Sequence, residues 1–341
     1  MSECRSGALP SETICRSEPP QIRVNDRYTR PRIATGHKED TLADLSQALT
    51  RRVTCAEHET VLNFPWPIDL GLTIASHGWV YLAPWRWDPD AGRLARVEKI
   101  GNRTGPVEIA QHEPSAVIVR CDGFSAADRS EVFGRVQRWL SADWEPSAAI
   151  AALPEAAGLI ERGGGRMLRG SSFYEDFVKT VLTINTSWSA TCRMVAALVA
   201  EPGGGRFPSP EMLLDYGEEH LRERARLGFR ARTIVLATER MLCDGAITPS
   251  GEARAERLGY DYLISLKGIG PYAAAHCRVL LHDFSRIPID SVLTAYLRER
   301  YGRDPAGFAA DRSPWGDYLA LGYRLARLRE KLDPVVQPKS E

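Results

Sequence analysis

The spacing of apolar residues changes once along this chain, and that change limits the folds open to it. From about residue 60 to 123 apolar residues come in short runs: DLGLTI (69–74), GWVYLAP (78–84), RLARVEKIG (93–101), PVEIA (106–110) and AVIVRCDG (116–123). Runs of this length between turn residues predict strands. The DPDAG stretch between Trp87 and Arg93 predicts a turn that pairs GWVYLAPWRW with RLARVEKIG as a hairpin. In AADRSEVFGRVQRWL the period becomes helical, with Val132, Phe133, Val136, Trp139 and Leu140 on one face. ERGGGRM (161–167) reads as a linker or loop. Beyond it Phe173, Phe177, Val181 and Ile184 recur at helical spacing, as a core-facing stripe. Helices continue to about residue 330, interrupted by the Gly- and Pro-rich EPGGGRFPSP (201–210). The fold class expected is α+β. Its organisation reads as a polar, flexible leader over 1–55, a sheet covered by a helix over 56–155, and a helical domain over 165–335.

Composition sets the broad class. The chain has 341 residues, 43% hydrophobic and 26% charged, as in a globular protein of two ordinary domains. No apolar run is long enough for a membrane span, and the first residues lack the apolar core of a signal peptide. A cytoplasmic location is expected, at the nucleoid if the source is bacterial. The cysteines at 4, 15, 55, 121, 192, 243 and 277 form no CxxC pair, so neither a zinc site nor an iron–sulfur cluster is expected. Basic and acidic residues balance at 44 each, which leaves room only for a local basic face. One candidate is LRERARLGFRARTIVLATER (221–240), with six Arg and two Glu, though a solvated helix face has the same composition.

The segment LKGIGPYAAAHCRVLLHDFSRIPIDSVL (266–293) carries the chemistry. DYLISL (261–266) and PYAAAHCRVLL (271–281) read as two short helices, with Pro271 in the first turn of the second. Lys267, Gly268, Ile269 and Gly270 join them, and the two glycines permit a tight turn and close approach of another backbone. The second helix then offers free N–H groups and a positive dipole end, which suit a phosphate. An ordinary helix–helix turn would use the same residues. Asp290 precedes SVLTAYLRERYG, in which Val292, Tyr296 and Tyr301 look core-facing, so it stands at a helix N-terminus. There it can be a plain N-cap. The same place can hold a partly buried carboxylate ionised in a dry site, able to stabilise a cationic sugar or orient a water.

LKGIGPYAA followed by IPIDSVL resembles the helix–hairpin–helix and the Gly/Pro-rich loop with its aspartate of the HhH-GPD DNA glycosylase superfamily. That superfamily includes endonuclease III, the adenine-mismatch glycosylase, DNA-3-methyladenine glycosylase II and 8-oxoguanine glycosylase. FYEDFVKTVLTINTSWSAT (173–191) is similar to the first helices of the catalytic domain and the loop that reaches into DNA. RFPSPEMLL (206–214) and LGFRARTI (227–234) resemble the lead-in to the hairpin in 8-oxoguanine glycosylase, and SPWGDYLALGY (313–323) resembles the closing helix of the methyladenine type. The strand-rich 60–150 region is similar to the sheet-containing first domain of those two branches, a TBP-like sheet-plus-helix unit.

The resemblance implies a monomeric base-excision glycosylase that flips a damaged base, an alkylated or oxidised purine, out of double-stranded DNA. Asp290 falls on the catalytic aspartate. Tyr272 stands where bifunctional relatives carry the lysine that forms a Schiff base, so a monofunctional enzyme is implied. Tyr272 and His276, one turn apart, are implied to line the base pocket. Each could also be a packing residue. Asn185 falls where relatives insert a polar side chain into the gap left by the flipped nucleotide, and it could instead cap the next helix. Lys267, Gly268, Ile269 and Gly270 would grip a phosphate, with a monovalent cation possible at the hairpin carbonyls. No other cofactor and no side-chain metal site are implied. Two other readings stay open: a non-catalytic hairpin that binds DNA, and a bifunctional enzyme using another lysine such as Lys179.

Overall fold

A computed structural model describes Thr54–Cys55 and residues 59–332. The expected leader lies outside the described residues except for Thr54–Cys55, which form an edge strand. Six strands, β1 (Thr54–Cys55), β2 (Glu59–Asn63), β3 (Arg86–Asp88), β4 (Arg93–Ile100), β5 (Arg103–Glu113) and β6 (Ala116–Arg120), make one antiparallel sheet in the order β1-β2-β6-β5-β4-β3. Fourteen α-helices occur among the described residues. They are α1 (Leu70–Ile74), α2 (Arg129–Trp139), α3 (Ser147–Ala152), α4 (Ala157–Ile160), α5 (Phe173–Leu182), α6 (Trp188–Ala200), α7 (Pro210–Tyr216) and α8 (Glu218–Glu223). The rest are α9 (Arg230–Cys243), α10 (Tyr260–Ser265), α11 (Pro271–Leu280), α12 (Ser291–Tyr301), α13 (Pro305–Asp311) and α14 (Leu319–Leu332).

Two of the five expected strands are helical. DLGLTI forms α1, capped by the Asp69 carboxylate, which accepts from Leu72 N at 2.9 Å. Its apolar residues alternate as in a strand, but Leu70, Leu72, Thr73 and Ile74 are all buried, so the alternation carried no facing information. GWVYLAP forms a 3-10 turn at Gly78–Tyr81, with the adjacent Trp79 and Val80 both buried. The expected hairpin survives in shorter form. β3 pairs β4 through Trp87↔Leu94, and the Asp88 carboxylate accepts from Asp90 N and Ala91 N to close the turn.

One face of the sheet buries Leu94, Ile100, Val107, Ile109, Val117 and Val119 beneath Val132, Val136 and Trp139 of α2. Phe133, expected on that face, is only half-buried. Arg96 and Glu98 of β4 point inward too and are 1% and 3% exposed. Glu98 pairs with Arg135 of α2, and Arg96 meets α5, whose ten residues are all buried, not only the expected stripe. Arg96 donates from both terminal guanidinium nitrogens, Nη1 and Nη2, to Glu175, at 3.1 and 2.8 Å, and Lys179 Nζ joins the same carboxylate at 2.7 Å. Burial works to raise the Glu175 pKa, but Arg96 and Lys179 hold it down at about 2. Sheet and helices therefore share one contiguous core.

The expected linker ERGGGRM is a packed strap. Arg166 is 2% exposed and donates to Pro67 O, Ser141 O and Trp144 O. Gly163 has φ +92°, and a Cβ there would sit 2.3 Å from Asp69 N. These glycines permit close approach, not slack.

Candidate functional site

The hairpin forms where the sequence places it. α10 ends at Ser265, Ile269 N bonds to Leu266 O at 3.0 Å, and Pro271 opens α11. Gly268 has φ +86°, and a Cβ there would lie 2.5 Å from Thr233 Oγ1 on α9, so two separate constraints require glycine. Ile269 packs down and is 6% exposed, whereas Lys267 and Gly268 face outward. No side chain caps the N-terminus of α11.

Asp290 caps α12: its carboxylate accepts from Leu293 N at 2.7 Å. Among the described residues no other group bonds that carboxylate. It is exposed rather than partly buried, between Ile289 and Val292, each 49% exposed. Val292, expected to face the core, points out; Leu293 and Leu297 fill that role, one position along the helix. Asp290 acts electrostatically on Tyr272, Tyr323 and Arg324, so these groups share one neighbourhood.

Tyr272 and His276 are brought together. Their rings stack with centroids 6.0 Å apart and planes 10° from parallel, and the Tyr272 hydroxyl lies 3.3 Å from Thr183 Oγ1. Burial raises the Tyr272 pKa, so the phenol stays protonated. His276 is 5% exposed, and burial with the nearby Arg324 cation pushes its pKa down to about 3. The Trp79 ring meets His276 edge-on at 5.1 Å, and His77 lies 5.8 Å from it. Trp79 and His276 close the floor of this cluster, leaving half-buried Tyr272 as its outward surface.

Asn185 is exposed at the bend between α5 and α6, with φ +47°. It does not cap α6; Ser187 does, accepting from Ala190 N. The bend is gripped from α9. Arg230 donates to the carbonyls of Ile184 and Asn185, and its guanidinium lies over the Phe229 ring at 4.5 Å, itself 59% exposed. The bend is also tied to the floor, since Thr183 bonds Tyr272 and the Trp188 indole lies where a Gly78 side chain would stand.

No family model matches the sequence, and no curated protein matches it at a significant level. Solved structures do match the fold. A 3-methyladenine DNA-glycosylase from Archaeoglobus fulgidus superposes with a TM-score of 0.60 at 18% identity, over 79% of this chain and 98% of that one. MBOgg1, solved with a low-affinity DNA ligand, gives 0.59 at 18% identity, over 82% and 100%. The 8-oxoguanine glycosylase/lyase of Clostridium acetobutylicum gives 0.58 at 13% identity, over 81% and 96%. This chain has the DNA glycosylase fold.

On the glycosylase fold, three parts of the site escaped the sequence. Trp79 sits in GWVYLAP, which reads as a strand, and His77 lies just before it. Arg324 sits in GYRLARLRE, where no site residue is expected from the sequence; its Nη1 donates to Ser76 O at 3.2 Å. Phe229 and Arg230 lie inside a charge run that hides an exposed aromatic. Lys179, the lysine weighed for Schiff-base chemistry, is fully buried and ion-paired with Glu175, and burial lowers its pKa. Among the described residues no group of three His, Cys, Asp or Glu could hold a metal, and no helix is long and apolar enough to cross a membrane.

Proposed function

We propose that this protein is a monofunctional DNA glycosylase of base excision repair, acting as a monomer on duplex DNA. The observation that carries the reading is the carboxylate of Asp290, held outward at the N-terminus of α12 in the neighbourhood of Tyr272. The hairpin of Lys267, Gly268 and Gly270, exposed at its first two positions, would bind one backbone phosphate on the uncapped end of α11. Asn185 and the exposed Phe229 ring would enter the stack beside the extruded nucleotide. The extruded base would lie against Tyr272.

The glycosidic bond then breaks with its electron pair leaving on the base, and the sugar gains positive charge. Asp290 stabilises that charge, and water adds at the anomeric carbon, its proton passing to the departing base, to leave an abasic site. The duplex and the flanking Ile289 and Val292 would supply the dry surroundings that the free carboxylate lacks, strengthening its field. A phenol cannot form an imine, and the buried, paired Lys179 is poorly placed to do so, which supports the monofunctional reading.

Single-turnover abasic-site assays on lesion duplexes test this. Asp290→Asn keeps an N-cap and should lower release by about a hundredfold or more without lowering DNA affinity. A second reading, a non-catalytic DNA-binding module, is favoured by the exposed, capping state of Asp290. It predicts salt-sensitive duplex binding and no base release from any lesion.

A further inference from the structure

Three polar groups around Tyr272 have no part in the steps above. His276 Nε2 is buried without a hydrogen-bond partner, although its ring is 5% exposed, and His77 Nε2 is likewise without one. His77 Nδ1 lies 2.9 Å from Ser76 Oγ, and the Ser76 carbonyl accepts from Arg324 Nη1 at 3.2 Å. Arg324 thus brings a guanidinium from α14 to the same wall as the two imidazoles. Its charge is a shared cause of the lowered pKa values of His77 and His276, and Tyr272 and Asp290 in turn act on it. Its fork offers five donors, and at neutral pH it stays cationic even where burial works against it. Buried polar atoms left unpaired ask for a partner atom.

The wall has consequences for the base. An aromatic face alone would attract a cationic, N-alkylated base. A full positive charge beside that face opposes a second one, and in a site dried by DNA the repulsion between whole charges exceeds attraction to a ring quadrupole. Asp290 offsets part of that charge, but it lies at the exposed rim and is committed to Leu293 N and the sugar. Carbonyl oxygens suit the guanidinium, and ring N–H groups or nitrogens suit the unpaired imidazole atoms.

Resting on the glycosylase reading, we propose that Arg324 is a charge filter on the base site. It admits a neutral base through an exocyclic carbonyl, as in an oxidised or deaminated purine, and turns away N-alkylated cationic bases.

The test compares release of hypoxanthine and 8-oxoguanine with release of 7-methylguanine, each from a duplex and each relative to its spontaneous loss. Wild-type enzyme should favour at least one of the neutral bases over 7-methylguanine by tenfold or more. Arg324→Met, of similar length without charge, should shrink that ratio at least tenfold, while Arg324→Lys should retain it in large part. A wild-type preference for 7-methylguanine overturns the filter and leaves the glycosylase reading standing. So does an unchanged ratio in Arg324→Met. Because the wild-type preference is read without any variant, loss of the Ser76 bond in Arg324→Met does not blunt the test. Release of none of the three bases, nor of 3-methyladenine or uracil, overturns the glycosylase reading itself.

Discussion

The indole Nε1 of Trp79 donates to the carboxylate of Asp176 at 2.9 Å, across 97 residues of sequence. Asp176 also accepts from Gly170 N at 2.7 Å and from Arg138 at 2.8 Å. This one buried carboxylate therefore sets the angle at which Trp79 meets His276, and it couples the buried helix α5 to the floor of the candidate base site.

Trp79→Phe keeps a ring and removes the donor. It should cost about 1–3 kcal/mol in urea denaturation, because a buried charged acceptor loses a partner. Base release should fall more than DNA affinity, as the floor loses its fixed orientation.

The Arg96–Glu175–Lys179 cluster should behave asymmetrically. Arg96→Met leaves buried charge uncompensated and should cost about 3–5 kcal/mol in thermal or urea unfolding. Replacing all three by apolar residues of similar volume should recover much of the loss. A triple variant no more stable than the single one would show that the cluster contributes more than mutual neutralisation.

Gly268→Ala meets two penalties, a positive φ and a contact with Thr233 Oγ1. The hairpin must shift, so duplex affinity by fluorescence anisotropy should drop about tenfold or more while stability falls by about 1–3 kcal/mol. Thr233→Ala in the same chain should restore only part of the affinity, since the backbone strain remains.

Acid should destabilise the protein early. The folded pKa values of His276 and His282 are pushed down to about 3, below the value of about 6.5 in an unfolded chain. The unfolded state then binds protons first, so stability is complete above pH 6.5 and falls as pH drops toward 3. Each such histidine adds a slope of about 1.4 kcal/mol per pH unit in that window. Glu175, held at about 2, adds a further loss below about pH 4.5. His276→Phe should flatten unfolding free energy against pH by about one such slope, measured by urea titrations between pH 4 and 7.

Borohydride should trap no protein–DNA adduct on a lesion duplex. A covalent adduct in wild-type protein that is lost in Lys179→Met would assign lyase chemistry to Lys179 and require α5 to open.

The helical half of the fold was legible because its apolar spacing and its hairpin are local. Pro271, Gly268 and Gly270 act within one turn, and Asp290 caps the helix it precedes. The errors came where burial is all-round. In DLGLTI the alternation is real but every face is covered, and the Asp69 cap decides for helix. The charges of β4 and α5 form a core cluster that the sequence does not announce, because the partners Arg96 and Glu175 lie 79 residues apart. The same distance problem hid Arg324 and His77, which reach the His276 cluster only through tertiary packing. Leu293 rather than the expected Val292 turns inward, since which face of α12 is covered depends on α13 and α14.

The fork between Arg96 and Glu175 also bears on how the gene could be shortened. A fragment begun after the 161–167 strap would keep the hairpin and Asp290 but strip α5 of its counter-ions, leaving carboxylate and ammonium facing solvent on what was an interior surface. Any minimal version must therefore retain β4, and the amino-terminal sheet is part of the scaffold beneath the candidate site rather than a detachable accessory.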